Sequence, residues 1–333
     1  MQRIVIFVSS VEGVPAILIR GALAALNSMD NMQLVAICLT GALNYPAVRR
    51  RYYFKRAFRA AESLFFIDAQ VSQPLPVDLV RLGQRHGFDV IVPRGGDLSS
   101  TEFIARLRSE IKPTIALSFY CLKKFSNDLL GVFSHAINYH NGLLPKYKGR
   151  RSTSWSIYCG ERETGFTFHR MTNRLDGGPV LYQESLLVTL GCSASTLELE
   201  KANLAVASLP DVLNLAVEGY PGRDQIGEGS YHSWEDGKAI TRIARPGDFS
   251  GEELMRRVWA FDRLEMRLNE RWYSVSGVVP APEKTLDQDP FCFHTADGTV
   301  MRATLNLYSR MMRATRNLYS RIKTAIQWSG FRE

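Results

Sequence analysis

The first 140 residues alternate between short apolar runs and helical segments, and no other feature constrains the fold as much. The run Arg3–Val8 (RIVIFV) is rich in β-branched residues, as in a parallel strand that is buried on both faces. Pro15 stands where a first helical turn begins, and Ala16–Leu26 has helical apolar spacing. The same two kinds of segment follow, with strands predicted at Leu34–Leu39, Asp89–Val92, Thr114–Phe119 and His135–Tyr139 and helices at Asp78–His86 and Ser100–Ile111. This order predicts βαβ units and a doubly wound, mostly parallel α/β sheet, whose ligands bind at the carboxyl ends of the strands.

The pattern changes after about residue 150. Strands are predicted at Thr164–Met171 and Val180–Val188, and a long helix at Ser195–Glu218. Further on, a helix is predicted at Ser250–Phe261 and strands at Trp272–Val279, Phe291–His294 and Gly298–Leu307. We therefore expect a catalytic domain over 1–218, a Gly- and Pro-rich linker over 219–230, a smaller β-rich domain over 231–308 and a tail over 309–333.

Most of the basic excess belongs to the tail. The chain has 333 residues and a formal charge of +8, and the segment 301–333 contributes +6 of that charge from seven basic residues and one acid. A nearly neutral body argues against a uniformly basic nucleic-acid-binding protein. The decamer MRATLNLYSR at 301–310 recurs as MRATRNLYSR at 312–321. Between Tyr308 and Ile326, residues of a mostly apolar stripe recur at three or four positions, which predicts a basic amphipathic helix. Two interpretations of this helix remain open. It contacts a membrane surface or RNA, or it is a duplicated helix that faces solvent.

The cysteine pattern and the apolar runs indicate a cytoplasmic protein. The five cysteines are far apart and form no C-x-x-C pair, so no metal site is expected and a reducing compartment is favoured. The apolar run near the N-terminus is too short for a signal sequence, and no run reaches the length of a transmembrane helix.

Chemistry-bearing residues concentrate in the segment 137–180. Asn138 and His140 are two apart at a strand end, so their side chains share a face, and Asp176 follows in a Gly-Gly-Pro turn. An amide that stabilises an oxyanion, an imidazole that moves protons and a carboxylate that orients the imidazole suit acyl transfer without a protein nucleophile. An Asn-x-His pair is also common in purely structural settings. His169, which alternates with Phe168 on a predicted strand, is assigned to packing or to the edge of a substrate pocket.

At these residues the sequence resembles the formyltransferase family that uses 10-formyltetrahydrofolate. Three separated pieces carry the resemblance: Asn138-Tyr139-His140, the loop 142–149 (GLLPKYKG) and the turn Leu175-Asp176-Gly177-Gly178. The resemblance implies a doubly wound catalytic domain that transfers a formyl group to a primary amine, with Asn138, His140 and Asp176 as the catalytic residues. The positions that it implies for folate binding are Phe119, Tyr120, Cys121, Leu122, Lys123, Gly142, Leu143, Leu144, Pro145, Thr172, Asn173, Arg174 and Leu175.

The resemblance leaves the amine acceptor open. The segments 139–142 (YHNG) and 168–171 (FHRM) are more similar to members that formylate sugar amines or amino-acid units, so a small-molecule amine is the preferred substrate. The basic and aromatic stretch Arg49–Arg59 is near the position of a tRNA-contacting loop in methionyl-tRNA formyltransferases, which makes tRNA the alternative acceptor; a phosphate clamp would serve equally. Hydrolysis of formyltetrahydrofolate and non-catalytic folate or RNA binding are further alternatives.

Overall fold

A computed structural model describes residues 1–41 and 78–305 of the chain. The stretch Arg49–Arg59 and the predicted tail 309–333 lie outside the described residues. The strands are β1 (Gln2–Val8), β2 (Met32–Leu39), β3 (Asp89–Ile91), β4 (Ile115–Phe119), β5 (His135–His140), β6 (Lys148–Gly149), β7 (Glu163–Arg170), β8 (Val180–Leu187), β9 (Tyr231–His232), β10 (Arg242–Ile243), β11 (Leu264–Leu268), β12 (Arg271–Pro280), β13 (Cys292–His294) and β14 (Val300–Leu305). The helices are α1 (Val14–Asn27), α2 (Leu79–His86), α3 (Thr101–Arg106), α4 (Asn127–Leu130), α5 (Ser152–Tyr158), α6 (Ala194–Val217), α7 (Trp234–Thr241) and α8 (Gly251–Phe261).

Within the described ranges, the largest sheet has seven strands in the order β3-β2-β1-β4-β5-β7-β8. Strands β1 to β5 pair in parallel, whereas β7 is antiparallel to both β5 and β8. The predicted doubly wound, mostly parallel α/β fold is therefore confirmed. The sheet divides two apolar clusters: Ile4 and Ile6 of β1 join one together with α1 and α6, and Val5 and Phe7 join the other together with α3. Burial on both faces explains why β1 is a continuous apolar run rather than an alternating one.

Local signals in the sequence explain where several helices begin. Pro15 occupies the first turn of α1, where its missing N–H costs no hydrogen bond. Asp78 and Ser100 cap α2 and α3, each accepting a hydrogen bond from a backbone N–H three residues on. The predicted strands and helices of this half occur at the expected places, within a few residues. Several short features were not expected: the helices α4 and α5, the strand β6, and the continuation of α3 as a π-helical turn over Leu107–Ile111.

The chain divides into two compact units. Among the described residues, the first comprises 1–41, 78–153, 162–188 and 196–231, and the second comprises 154–161, 189–195 and 232–305. The segment 219–230, predicted as a linker, belongs to the first unit. In the second unit, the described residues form a five-stranded sheet of order β10-β11-β12-β14-β13 around a third apolar cluster, as the prediction of a small β-rich domain requires. Its strand β11 and helix α7 were not predicted. Among the described helices, none combines the length and the apolar character that crossing a membrane requires.

Candidate active site

The side chains of the predicted trio meet at the end of β5. Asn138 and His140 belong to this strand, and Asp176 follows β7 in the turn that leads to β8. Asp176 adopts a left-handed backbone conformation with φ of 48°. The carboxylate Oδ2 of Asp176 lies 3.5 Å from Nδ1 of His140, and both side chains are buried. Residues 36 positions apart in the sequence are therefore neighbours in the fold.

Nε2 of His140 has two partners of different character. It lies 3.0 Å from the carbonyl oxygen of Tyr147 and 3.1 Å from Oγ of Ser152. The carbonyl can only accept a hydrogen bond, whereas the hydroxyl can also donate one. A protonated Nε2 therefore donates to Tyr147, and a deprotonated Nε2 accepts from Ser152. This environment lets the imidazole gain or lose a proton without leaving Nε2 unpaired.

Burial and charge set the protonation of the His140–Asp176 pair. Burial lowers the pKa of His140 below 6.5; the carboxylate of Asp176 opposes this effect, and the nearby His169 adds to it. Burial would raise the pKa of Asp176, but the charge that His140 carries when it is protonated at low pH, the contact with His169 and the hydrogen bond from the Gly149 N–H (2.8 Å) hold it at about 2. Near neutral pH the site therefore contains a neutral imidazole, able to accept a proton, beside a carboxylate that stabilises the resulting cation.

His169 connects Asn138 to Asp176. Strands β5 and β7 pair with Asn138 opposite His169, which brings the two side chains to one face of the sheet. Nδ2 of Asn138 lies 3.1 Å from Nε2 of His169, and the other ring nitrogen lies 2.9 Å from the carbonyl oxygen of Arg170. Because Nδ1 donates to that carbonyl, the neutral ring accepts a hydrogen bond from Asn138 through Nε2. The same Nε2 lies 3.7 Å from Oδ1 of Asp176.

Small and polar residues shape the loop that follows His140. A Cβ atom at Gly142 would lie 2.7 Å from Cβ of Ser152 and 3.1 Å from Nε2 of His140, so only glycine fits beside the imidazole. The backbone N–H of Leu144 donates to Oγ1 of Thr167, and Nε2 of Gln183 donates to the carbonyl oxygen of Leu144. These contacts fix the loop 142–145, which the resemblance assigns to folate binding.

A buried lysine lies beneath the same loop. Lys201 of α6 is fully buried, and its Nζ donates to the carbonyl oxygen of Asn141 (3.2 Å), to Oγ1 of Thr153 (2.6 Å) and to Oγ1 of Thr164 (3.2 Å). Burial lowers the pKa of Lys201, while the charge of Glu198 acts in the opposite direction. The lysine thereby ties together residues that directly follow His140 and Ser152.

The remaining predicted folate positions form two loops. In the loop after β4, the hydroxyl of Tyr120 accepts a hydrogen bond from Nδ2 of Asn141, and the N–H of Leu122 donates to Oγ of Ser9. Burial raises the pKa of the Cys121 thiol, which leaves it protonated and a poor nucleophile. Phe119 is buried and Lys123 is exposed.

The second loop contains Thr172, Asn173, Arg174 and Leu175. In this loop, Oγ1 of Thr172 accepts a hydrogen bond from the N–H of Arg174.

Several residues around the trio were not found from the sequence. His169 was assigned to packing or to the edge of a substrate pocket, and Ser152, Lys201 and the carbonyl of Tyr147 were not considered. One signal was available for Lys201: it follows Leu197 by four residues and precedes Ala205 by four, so a lysine stands in an otherwise apolar helical stripe. The described residues contain no group of three His, Cys, Asp or Glu side chains that could hold a metal ion.

An amide, an imidazole and a carboxylate in this arrangement are groups that could donate to an oxyanion, accept a proton and stabilise the resulting cation. Residues 96–213, which include the whole trio, match the family described as formyl transferase. The chain therefore contains a domain that matches the formyl transferase family.

Solved structures share the fold at low sequence identity. The N-formyltransferase from Helicobacter canadensis, in complex with folinic acid and dTDP-3-aminofucose, is 16% identical with a TM-score of 0.58, covering 92% of this chain and 100% of that chain. A sugar N-formyltransferase from a Shewanella species is 17% identical with a TM-score of 0.56 (83% and 96% covered). A 4-N formyltransferase from Francisella tularensis is 16% identical with a TM-score of 0.57 (83% and 96% covered).

Proposed function

We propose that the protein transfers a formyl group from 10-formyltetrahydrofolate to the primary amine of a small molecule, such as a nucleotide-linked amino sugar or an amino-acid unit. The observation that carries this proposal is the contact between His140 and Asp176 at the end of β5, on the strand that also presents Asn138. The co-substrate supplies the formyl carbonyl. The residues described below bind the reactants, stabilise charge and move the proton.

Asn138 is proposed to stabilise the oxyanion. One N–H of its amide points to Nε2 of His169, and among the described residues the other N–H has no partner. Because the hydrogen bond to His169 fixes the amide plane, the second N–H is held in one orientation. A donor that is already oriented stabilises developing negative charge without reorganisation.

His140 is proposed to take a proton from the attacking amine and to return one to the leaving nitrogen. Its pKa is lowered by burial, so the ring is neutral near pH 7 and can accept a proton. Oδ2 of Asp176 then lies 3.5 Å from Nδ1 of the cation. The carboxylate stabilises the charged ring and disfavours other ring orientations.

The loops around the trio fit a flat folate ring system. Leu122 and Leu175, one on each of the two loops assigned to folate, are 61% and 56% exposed. Covering exposed apolar side chains such as these with a ring system removes apolar surface from water, which favours binding. The loop 142–145 supplies backbone groups next to His140. These residues would hold the pteridine and present its formyl group to the trio.

The proposal of a small-molecule amine as the acceptor is supported by two sequence segments and by the compared structures. The segments 139–142 and 168–171 resemble sugar-amine and amino-acid N-formyltransferases, and the sugar N-formyltransferases compared above share the fold. Methionyl-tRNA is the alternative acceptor, because of the basic stretch Arg49–Arg59. Hydrolysis is a third outcome, in which water replaces the amine.

The test is an acceptor screen with 10-formyltetrahydrofolate, in which tetrahydrofolate release and product mass are followed together. The panel contains nucleotide-linked amino sugars, free amino acids and methionyl-tRNA, with His140→Ala as the inactive control. A gain of about 28 Da on a sugar or amino acid, dependent on His140, supports the proposal. The same gain on methionyl-tRNA alone would overturn the small-molecule acceptor. Tetrahydrofolate release without any acceptor would identify a hydrolase instead.

A further inference from the structure

Residues 220–231, here called the strap, run from the end of α6 back across the candidate active site. Arg223 pairs with Val180 through two backbone hydrogen bonds of 2.7 and 2.8 Å. At the other end, Oγ of Ser230 accepts from the N–H of Tyr147 (2.8 Å), and the carbonyl of Ser230 accepts from the N–H of Lys148 (2.8 Å). A Cβ at Gly229 would lie 1.9 Å from the carbonyl oxygen of Pro145, so the strap lies directly against the catalytic loop.

Between these two ends, Gln225 holds the turn that carries Asp176. Its Nε2 donates to the carbonyl oxygen of Asp176 (2.8 Å) and to that of Gly178 (2.9 Å). The turn has little conformational freedom of its own: Asp176 is left-handed, and a Cβ at Gly178 would lie 1.9 Å from the carbonyl oxygen of Arg170. A backbone in a sparsely populated region persists only when its surroundings hold it there. The two hydrogen bonds from Gln225 supply such a constraint.

The strap therefore contacts the residues on both sides of the His140 imidazole. Ser230 fixes the backbone of Tyr147, whose carbonyl oxygen lies 3.0 Å from Nε2 of His140. Gln225 fixes the turn of Asp176, whose carboxylate lies 3.5 Å from Nδ1. The strap is part of neither catalytic loop, and it forms hydrogen bonds to both of them.

We propose that the strap positions the catalytic pair, with Gln225 as the positioning residue that places the Asp176 carboxylate against His140. Gln225 acts through the backbone of the turn and does not touch the reactants. This inference deepens the proposed function. It rests on that function only where turnover is measured, because the assay needs the proposed reaction. The placement of the carboxylate can be tested without turnover.

The pKa of His140 depends on the charges around it. A change in this pKa therefore distinguishes a moved carboxylate from a general loss of stability. The charged and titratable groups that face it are Asp176 from the turn, His169 from β7 and Lys201 from α6. Of these, only Asp176 raises the pKa of His140; His169 and Lys201 lower it, as burial does. If Gln225 no longer holds the turn, the carboxylate moves away and the pKa of His140 falls further.

The experiment compares wild type, Gln225→Met and the control Gln288→Met. Methionine keeps the length of the glutamine side chain and removes both N–H donors, and Gln288 is an exposed glutamine of the second unit. The pKa of His140 is measured by NMR titration of protein with labelled histidine, assigned with His140→Asn. We expect a lower pKa in Gln225→Met and no change in Gln288→Met. Turnover should fall on the order of 10- to 100-fold, with KM values close to those of wild type.

A second comparison shows whether Gln225 acts through Asp176. The double variant Asp176→Asn/Gln225→Met should have the same pKa of His140 as Asp176→Asn alone. An unchanged pKa and rate in a folded Gln225→Met protein would overturn the proposal, and so would a further fall of the pKa in the Asp176→Asn background. If no acceptor is formylated while the pKa responds as expected, the proposed function fails and the role of the strap stands. Should Gln225→Met not fold, Gln225→Asn, which keeps the donors on a shorter side chain, takes its place with the same expected directions.

Discussion

Asp176→Asn tests the electrostatics of the site most directly. Asparagine has nearly the shape of the carboxylate, and its oxygen can still accept the hydrogen bond from the Gly149 N–H that Oδ2 accepts at 2.8 Å. What disappears is the negative charge beside Nδ1 of His140 and Nε2 of His169, at 3.5 and 3.7 Å. The substitution therefore separates charge from packing.

The pKa of Asp176 gives the size of the effect on stability. The carboxyl group has an ordinary value of 3.8 and a value of about 2 in the folded protein. At about 1.4 kcal/mol for each tenfold change, this difference is worth about 2 kcal/mol in favour of the folded state when the group is charged. The figure already includes the cost of burying the carboxylate. Because the folded pKa is below the unfolded one, this stability is fully present above about pH 4 and is lost as the pH falls through about 2.

Urea unfolding of wild type and Asp176→Asn at a series of pH values measures this contribution. We expect wild type to be more stable by about 2 kcal/mol at pH 7, and the difference to shrink as the pH falls below about 4. The exposed Asp89, at the start of β3, serves as the matched control, since Asp89→Asn should change stability little at any pH. Turnover of Asp176→Asn should fall at least on the order of 100-fold, because the His140 cation loses its counter-ion. A stability difference that stays constant with pH, or near-normal turnover, would refute this reasoning.

Three further predictions follow from the same site. Asn138→Ala should lower kcat on the order of 100- to 1000-fold with little change in KM, because it removes a donor that acts on the transition state, as steady-state kinetics would show. Since the pKa of His140 is below 6.5, kcat/KM should stay level down to about pH 6.5 and fall only at lower pH; a fall that begins above pH 7 in a pH–rate profile would contradict this assignment. Burial lowers the pKa of Lys201 from 10.5 to about 7, so wild type should gain stability relative to Lys201→Met as the pH rises from 7 towards 10 in urea unfolding, whereas the exposed Lys284→Met should show no such trend.

Local sequence signals were sufficient to predict several elements of the large sheet and the shared face of Asn138 and His140. Strand β1 was predicted from one β-branched run, and α1 from Pro15 and the apolar spacing after it. The two-residue spacing of Asn138 and His140 on β5 determines that both side chains share a face. These features depend on neighbours within a few positions, which is why the sequence alone determines them.

The partners of the trio depend on pairing between distant segments. His169 reaches Asn138 because β5 and β7 pair in one particular antiparallel register, and a slip of one residue would turn His169 to the other face. Likewise, Lys201 meets the loop after His140 only because α6 packs against that side of the sheet. No spacing in the sequence encodes either distance.

The segment 220–231 gives the clearest contrast between local sequence preferences and tertiary contacts. Its Gly and Pro content indicates irregular backbone, and that property is local. Its hydrogen bonds to Asp176, Gly178 and Tyr147 join residues that are 47 to 83 positions apart. The sequence alone thus determined most of the longer strands and helices and the three residues of the trio. Tertiary structure decided which groups meet around the imidazole, because long-range contacts depend on how the whole chain packs and not on its local preferences.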